Sequence, residues 1–367
     1  MSVGAAAVDP GTEAGPVAEW RRWALAPPGA HGAVLATATL KDSAADFVVS
    51  ERLGFAPDGG GAHLLLEVRK SGCDTLQVAR ALARHAGCAP RDVGFAGLKD
   101  RIALATQWFS VPAQRPAGDW HGHAGPGFEV RLAAPHSRKL RRGALVGNDF
   151  RIVLRDCTVE AAALATRLAA IAGRGVPNYF GPQRFGRDGG NLDAVAHWCG
   201  TGRLPAGREP RAFVISAARA LCFNALLAER VAMGSWDRLL PGEFVNLDGR
   251  NSYFVAADID AALVARLERH DLHPTGPLAG RGPVPESAAG ALEKEVLDGF
   301  ARLRARLETA GVEAARRALR VRPQGLRGEC AGGQLTLEFG LPAGAYATAV
   351  VREIAATRAT RAEVEDA

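Results

Sequence analysis

From Ala38 onward, short apolar runs of period two predict strands at Phe47-Val48-Val49-Ser50-Glu51 and Leu64-Leu65-Leu66-Glu67-Val68. Asp58-Gly59-Gly60-Gly61 lies between them with the chemistry of a turn. The period then lengthens: Leu76, Ala79, Leu82 and Ala83 predict a helix, with Asp74 or Thr75 as its cap. Strand patterns return at Gln107 to Val111, Phe128 to Leu132 and Phe150 to Leu154, and Glu160 to Ile171 reads as an Ala/Leu-rich helix. Asn178-Tyr179-Phe180-Gly181-Pro182 breaks regular structure. Beyond it Ala217, Leu221, Ala225, Leu226 and Ala228 recur at helical spacing, and Glu286 to Leu319 is a helical stretch laced with opposite charges. The chain closes with a strand pattern (Leu335, Leu337, Phe339), the break Pro342-Ala343-Gly344, and a helix from Tyr346. This predicts an α+β protein: a mixed core, a largely helical middle and a β-rich return. Residues 1 to about 30, rich in Ala, Gly and Pro with one apolar patch at Trp20 to Leu25, predict a loosely ordered extension.

Composition narrows the class. A chain of 367 residues has room for two domains, or for one large domain carrying an insertion. No stretch approaches a transmembrane helix, and the N-terminus lacks a basic region followed by an apolar one, so no membrane and a cytoplasmic location are expected. Six Cys are scattered without close pairs, which fits reduced thiols and argues against a disulfide framework or a Cys-based zinc site. The formal net charge of +6 is modest, and all but five of the 45 basic residues are Arg. Arg138, Lys139, Arg141 and Arg142 form one basic cluster, and Arg316, Arg317, Arg320 and Arg322 form another. Either is a track for a phosphate backbone or a solvated face.

The chemistry concentrates in Gly94 to Ser110, GFAGLKDRIALATQWFS. Asp100 lies between Lys99 and Arg101, after a Gly-containing turn and before an apolar run. A carboxylate kept ionised by nearby cations can act as nucleophile or base. The alternative is a turn whose charges face water. On a strand, neighbouring side chains point oppositely, so at most one of Lys99 and Arg101 would face Asp100. The triple Gly at 59–61 is followed by no Gly-Lys-Ser/Thr, which disfavours a phosphoryl-transfer loop. His121 and His123 have no nearby ligand partners in the sequence and read as loop residues, so no metal is expected.

Six segments in order resemble the TruD family of tRNA pseudouridine synthases: DFVVSERLGFAPDGGGAHLLLEVRKSGCDT, GFAGLKDR, RKLRRGALVGNDFRIVLR, GVPNYFGPQRFG, SAARALCFN and LPAGAYATAVVRE. The resemblance spans Ala38 to Glu353. It implies a pseudouridine synthase α/β core at 31–174 and 321–360, interrupted by a family-specific insertion at 175–320. It also implies an isomerase that turns uridine, at position 13, into pseudouridine in tRNA without a cofactor, on a base flipped out of the stack. No obligate protein partner is evident. Carried over by motif, the catalytic residue is Asp100, and the substrate residues are Phe47, Asn148, Phe150 and Tyr346. The family's motif also takes Phe at the position of Tyr346, so a ring suits stacking while a role for the hydroxyl is open. GVPNYFGPQRFG suits RNA contact or an inter-domain seam, with Arg174, Arg184 and Arg187 as phosphate candidates. A non-catalytic RNA-binding protein on the same scaffold is the competing class, and retention of Asp100, Phe47 and Asn148 speaks against it.

Overall fold

The computed structural model describes residues 15–250, 252–283 and 286–358, which gather into two compact units. Unit A holds Val34–Gly173, Pro323–Gly344 and the segment from Ile354; unit B holds the described residues up to Ala33, Arg174–Arg322 and Ala345–Glu353. The expected boundaries differ mainly at the C-terminal side, where Ala345–Glu353 clusters with the insertion.

Unit A is built on one large sheet. Its strands are β1 (Ala36–Leu40), β2 (Phe47–Leu53), β3 (His63–Lys70), β4 (Gly94–Phe95), β5 (Leu104–Pro112), β6 (Ala124–Gly125), β7 (Phe128–His136), β8 (Leu145–Arg155), β15 (Gln324–Ala331), β16 (Gln334–Pro342) and β17 (Ala355–Arg358). The main path runs β15-β16-β8-β2-β5-β3-β7-β6, with β1 joined to β8 and β17, and β4 to β5. Val49 pairs with Phe150 and with Ala105; Ala105 pairs with Lys70, and Phe150 with Phe339. Because side chains alternate along a strand, Phe47, Glu51, Lys70, Gln107, Asn148, Phe150 and Phe339 all share one face. Helix α2 (Thr75–Ala86) covers part of that face, burying Val78, Ala79, Leu82 and Ala83 against Leu66, Val68 and Phe109. Its start is fixed by a capping box in which Gln77 N donates to Asp74 Oδ1 at 2.7 Å and Asp74 N to Gln77 Oε1 at 2.8 Å. Gly87, at φ 70°, ends it. Helix α3 (Ala161–Arg174) closes the unit's middle segment, with Leu164 and Ile171 buried.

Unit B centres on α5 (Arg208–Ala232). Around it lie α1 (Gly15–Leu25), α4 (Gly190–Thr201), α6 (Ala261–Glu268), α7 (Ala288–Asp298), α8 (Ala301–Thr309) and α9 (Ala347–Arg352). Two elements depart from expectation. Residues 1–14 of the predicted loose extension lie outside the described residues, but Gly15–Leu25 is a helix: Ala24 is fully buried, and Trp20 and Trp23 pack on Phe300. The insertion also carries a four-stranded sheet, β11 (Tyr253–Ala256), β10 (Glu243–Leu247), β12 (Leu272–Leu278) and β13 (Ala315–Ala318), plus the pair β9 (Val176–Pro177) and β14 (Arg320–Val321). The predicted helical stretch Glu286 to Leu319 therefore ends in a strand, because α8 stops at Thr309 and Gly311 takes φ 71°. Helix α5 is long and apolar enough, by length and composition, to cross a bilayer, against the expectation of no such stretch. Its apolar residues are instead packed in the core, among them Leu221, Cys222 and Ala225 against Val195, Trp198 and Leu303.

Candidate active site

Asp100 lies in the loop between β4 and β5, not on a strand. Buried polar groups pin that loop. Gln107 Nε2 donates to Gly97 O at 2.7 Å, Thr75 Oγ1 accepts from Lys99 N at 3.0 Å, and Thr75 Oγ1 in turn donates to Gln107 Oε1 at 3.0 Å. Lys70 Nζ donates to Asp100 O at 2.8 Å. The carboxylate itself bends back to accept from Ile102 N at 3.1 Å. Neither expected cation faces it. Lys99 points to Glu51 at 2.7 Å, a pair whose side chains are 7 % and 0 % exposed and whose second carboxylate oxygen accepts from Trp108 N at 2.9 Å. Arg101 donates to Gly72 O at 3.2 Å. The partner of the Asp100 carboxylate is Lys41, from the loop after β1, where Lys41 takes the left-handed φ of 59°. With its main chain fixed, the Asp100 side chain is still 25 % exposed.

Lys41 also links the carboxylate to the aromatic face, because its ammonium stands 4.7 Å from the Phe47 ring centre. Phe47 meets Phe150 edge to face at 6.0 Å, and Phe150 meets Phe339 at 5.5 Å. Phe47 is 8 % exposed, so its ring is largely packed, while Phe150 is half-buried. Asn148, on the same face, is half-buried, with its Oδ1 shielded from solvent and without a hydrogen-bond partner among the described residues. The segment bearing Lys41 and Phe47 is tied down by Asp46, which accepts from Ser43 N and Oγ at 2.9 Å each and from Arg155 Nε and Nη2 at 2.9 and 2.7 Å. A recess of about 360 Å³ on this sheet is lined by Val48, Ser50, Asp149, Arg151, Glu338 and neighbouring residues. Phe150 and Phe339 line it as well, and Glu338 is paired with Arg151 and Arg327.

Tyr346 belongs to unit B, at the N-cap of α9. Its ring meets Phe180 at 6.0 Å, and its hydroxyl accepts from Arg184 Nε at 3.0 Å. Arg184 thus spends donors inside the unit, on Tyr346 and on Ser216 Oγ at 3.4 Å, and supports the Tyr346 ring. Three cations of the second basic cluster also have partners inside the unit. Arg316 pairs with Glu293, Arg317 donates to Asn178 O at 3.1 Å while lying over Phe180, and Arg320 donates to His273 Nδ1 at 3.1 Å. Burial pushes Arg317 and Arg320 down to about 10. Arg174 pairs with Asp237 at 2.8 Å, and Arg187 is exposed. In unit A, by contrast, Arg138, Lys139, Arg141 and Arg142 are all exposed around the buried anchor Leu140. Lys139 donates to Arg91 O and Arg142 stacks 3.9 Å from the Phe95 ring centre. His123 stacks on His85 at 3.7 Å as a loop residue, and no cluster of metal-ligating side chains occurs among the described residues.

Lys41, Lys70 and Glu51 were not legible as site residues from motif spacing. A compositional signal was present: in a chain that almost always uses Arg, three of five lysines converge on this one loop.

Comparison with known proteins places these residues in context. The family model described as tRNA pseudouridine synthase D (TruD) matches residues 34–202 and 208–354. The chain is 46 % identical over 336 residues to tRNA pseudouridine synthase D of Nitrosococcus oceani, covering 88 % of this chain and 92 % of that protein. It is 45 % identical over 332 residues to the protein of that name from Methylococcus capsulatus, covering 89 % and 93 %. A crystal structure described as putative tRNA pseudouridine synthase D from Methanosarcina mazei shares the fold, with a TM-score of 0.65 at 22 % identity over 90 % of this chain and 94 % of that one.

Proposed function

Because the chain belongs to the tRNA pseudouridine synthase D (TruD) family, we propose that it isomerises uridine to pseudouridine in tRNA, at position 13, with Asp100 as nucleophile. In this reaction the N1–C1′ bond breaks and a C5–C1′ bond forms. The C5 proton leaves and N1 takes one up, so the change balances without oxidant, reductant or group donor. The observation that carries the reading is the Asp100 carboxylate: its main chain is fixed by buried donors, yet its side chain stays open to solvent beside Lys41.

Phe47 and Phe150 offer ring faces or edges to the base once Lys41 yields, and the unpaired Asn148 Oδ1 suits a uracil N–H. Tyr346, steadied by Arg184 within unit B, offers a ring for stacking on RNA. The exposed Arg138–Arg142 segment meets the phosphate backbone. A tRNA substrate suits a cytoplasmic location.

The test is reverse-transcription stop mapping of carbodiimide-treated tRNA from cells with and without this protein. A protein-dependent stop at position 13 is expected. No stop that depends on the protein would leave a binding protein on this scaffold, and a stop elsewhere would remove the position.

A further inference from the structure

All but five of the 45 basic residues are Arg, so a buried Lys calls for a reason. Lys41 and Lys99 each have a carboxylate partner. Lys70 has none within ion-pair distance among the described residues. Its side chain is almost wholly buried, on the sheet face shared with Glu51 and Gln107. Its ammonium donates to two main-chain carbonyls, Asp100 O and Cys73 O, each at 2.8 Å. Burying an ammonium without a touching counter-ion is costly, and here burial pushes Lys70 below the ordinary lysine range. A Met would fill the same volume without that cost. A compact ammonium on a flexible stem reaches two carbonyls where a planar guanidinium needs more room.

We propose that Lys70 is a positioning residue for Asp100: from beneath the loop it fixes the main chain that presents the carboxylate, while Lys41 meets the carboxylate itself. The inference rests on the reading of Asp100 as the reactive group. Lys41 touches the carboxylate and must yield part of it to substrate. Lys70 touches only the main chain and keeps its place throughout. The loop is therefore held from within by Lys70 and from its flank by Thr75 and Gln107.

The experiment is the single-turnover rate, tRNA affinity and melting temperature of the full-length wild type, Lys70→Met and Lys70→Arg on one tRNA transcript. A misplacement of about 1 Å at a reacting group costs on the order of 100-fold. Lys70→Met is expected to bind tRNA within about threefold of wild type and to react about 100-fold more slowly. Lys70→Arg, which keeps donors and charge, should recover at least a part of that loss. A folded Lys70→Met protein that reacts within threefold of wild type overturns the proposal. So does a loss that falls equally on affinity and rate, which marks general damage. If Lys70→Met does not fold, Lys70→Gln takes its place with the same outcomes. A wild type that forms no pseudouridine defeats the reading of the function itself, and is thereby distinguished from failure of the Lys70 role.

Discussion

Asp46 is 2 % exposed, one residue before Phe47, and its carboxylate gathers Ser43 and Arg155 around the segment that carries Lys41. Burial alone would raise its pKa, but the hydrogen bonds from Arg155 and Ser43 outweigh it and hold the carboxyl below its usual value of 3.8. A carboxyl depressed in the folded state adds stability that is fully present above its unfolded pKa and is lost as pH falls through the folded one. Asp46→Asn should therefore destabilise at pH 7 by roughly 2 kcal/mol, and the gap to wild type should narrow as pH falls below about 4. Melting temperatures of both proteins from pH 7 down to pH 3 check this, and a gap that is constant with pH would contradict it. At this scale the sequence pointed at Asp100 but not at its partner. Lys41 is 59 residues away, and the turn that aims it depends on a left-handed φ at Lys41 itself, which no local pattern announces. Lys99 and Arg101 were the nearest cations in sequence, yet the buried Glu51 claims Lys99 and Gly72 O takes a donor of Arg101.

Two Arg-rich segments look alike in the sequence and end differently as elements. In β13 and β14 the side chains of Arg316, Arg317 and Arg320 meet Glu293, Asn178 and His273. Their partners come from α7, from the segment after β9 and from β12, so only tertiary structure decides their fate. The segment between β7 and β8 has one buried residue, Leu140, whose N–H donates to Ser110 Oγ at 2.8 Å, and its cations point outward. Of these, Lys139 and Arg142 already have partners within the protein. Arg138→Ala/Arg141→Ala should thus lower the slope of log affinity for tRNA against log salt by about 0.7 to 0.9 for each phosphate that the variant no longer neutralises. Lys139→Ala/Arg142→Ala should lower it less. Equal slopes in wild type and in the Arg138/Arg141 variant would make the segment a solvated face. Periodicity did predict β2, β3, α2, α5 and β16, whose apolar runs supply the core. It missed β10 to β13, strands of four to seven residues, and it missed α1, whose Trp side chains pack on Phe300 and the core around α5, distant in sequence.

At the scale of the whole chain, motifs in sequence order are distributed over both units: Phe47, Asp100, Asn148 and Phe150 lie in unit A, and Tyr346 and Arg184 in unit B. The α+β class was legible because long, regular segments change period between Arg155 and Gln324, while the insertion was what the resemblance implied. That Ala345–Glu353 clusters with the insertion was not legible. Glu353 is buried, and accepts from Ala30 N at 2.9 Å and His31 N at 3.0 Å, partners more than 300 residues away in sequence. In the proposed function the chemistry rests on the Asp100 carboxylate, and affinity on the exposed cations of Arg138–Arg142. The direct measurement is pseudouridine formation in a single turnover, with tRNA affinity measured alongside, for wild type and Asp100→Asn. The amide keeps the shape of the side chain and removes the nucleophile. The predicted result is no detectable product with tRNA binding within a few-fold of wild type; product formed by Asp100→Asn at a rate near wild type would contradict it.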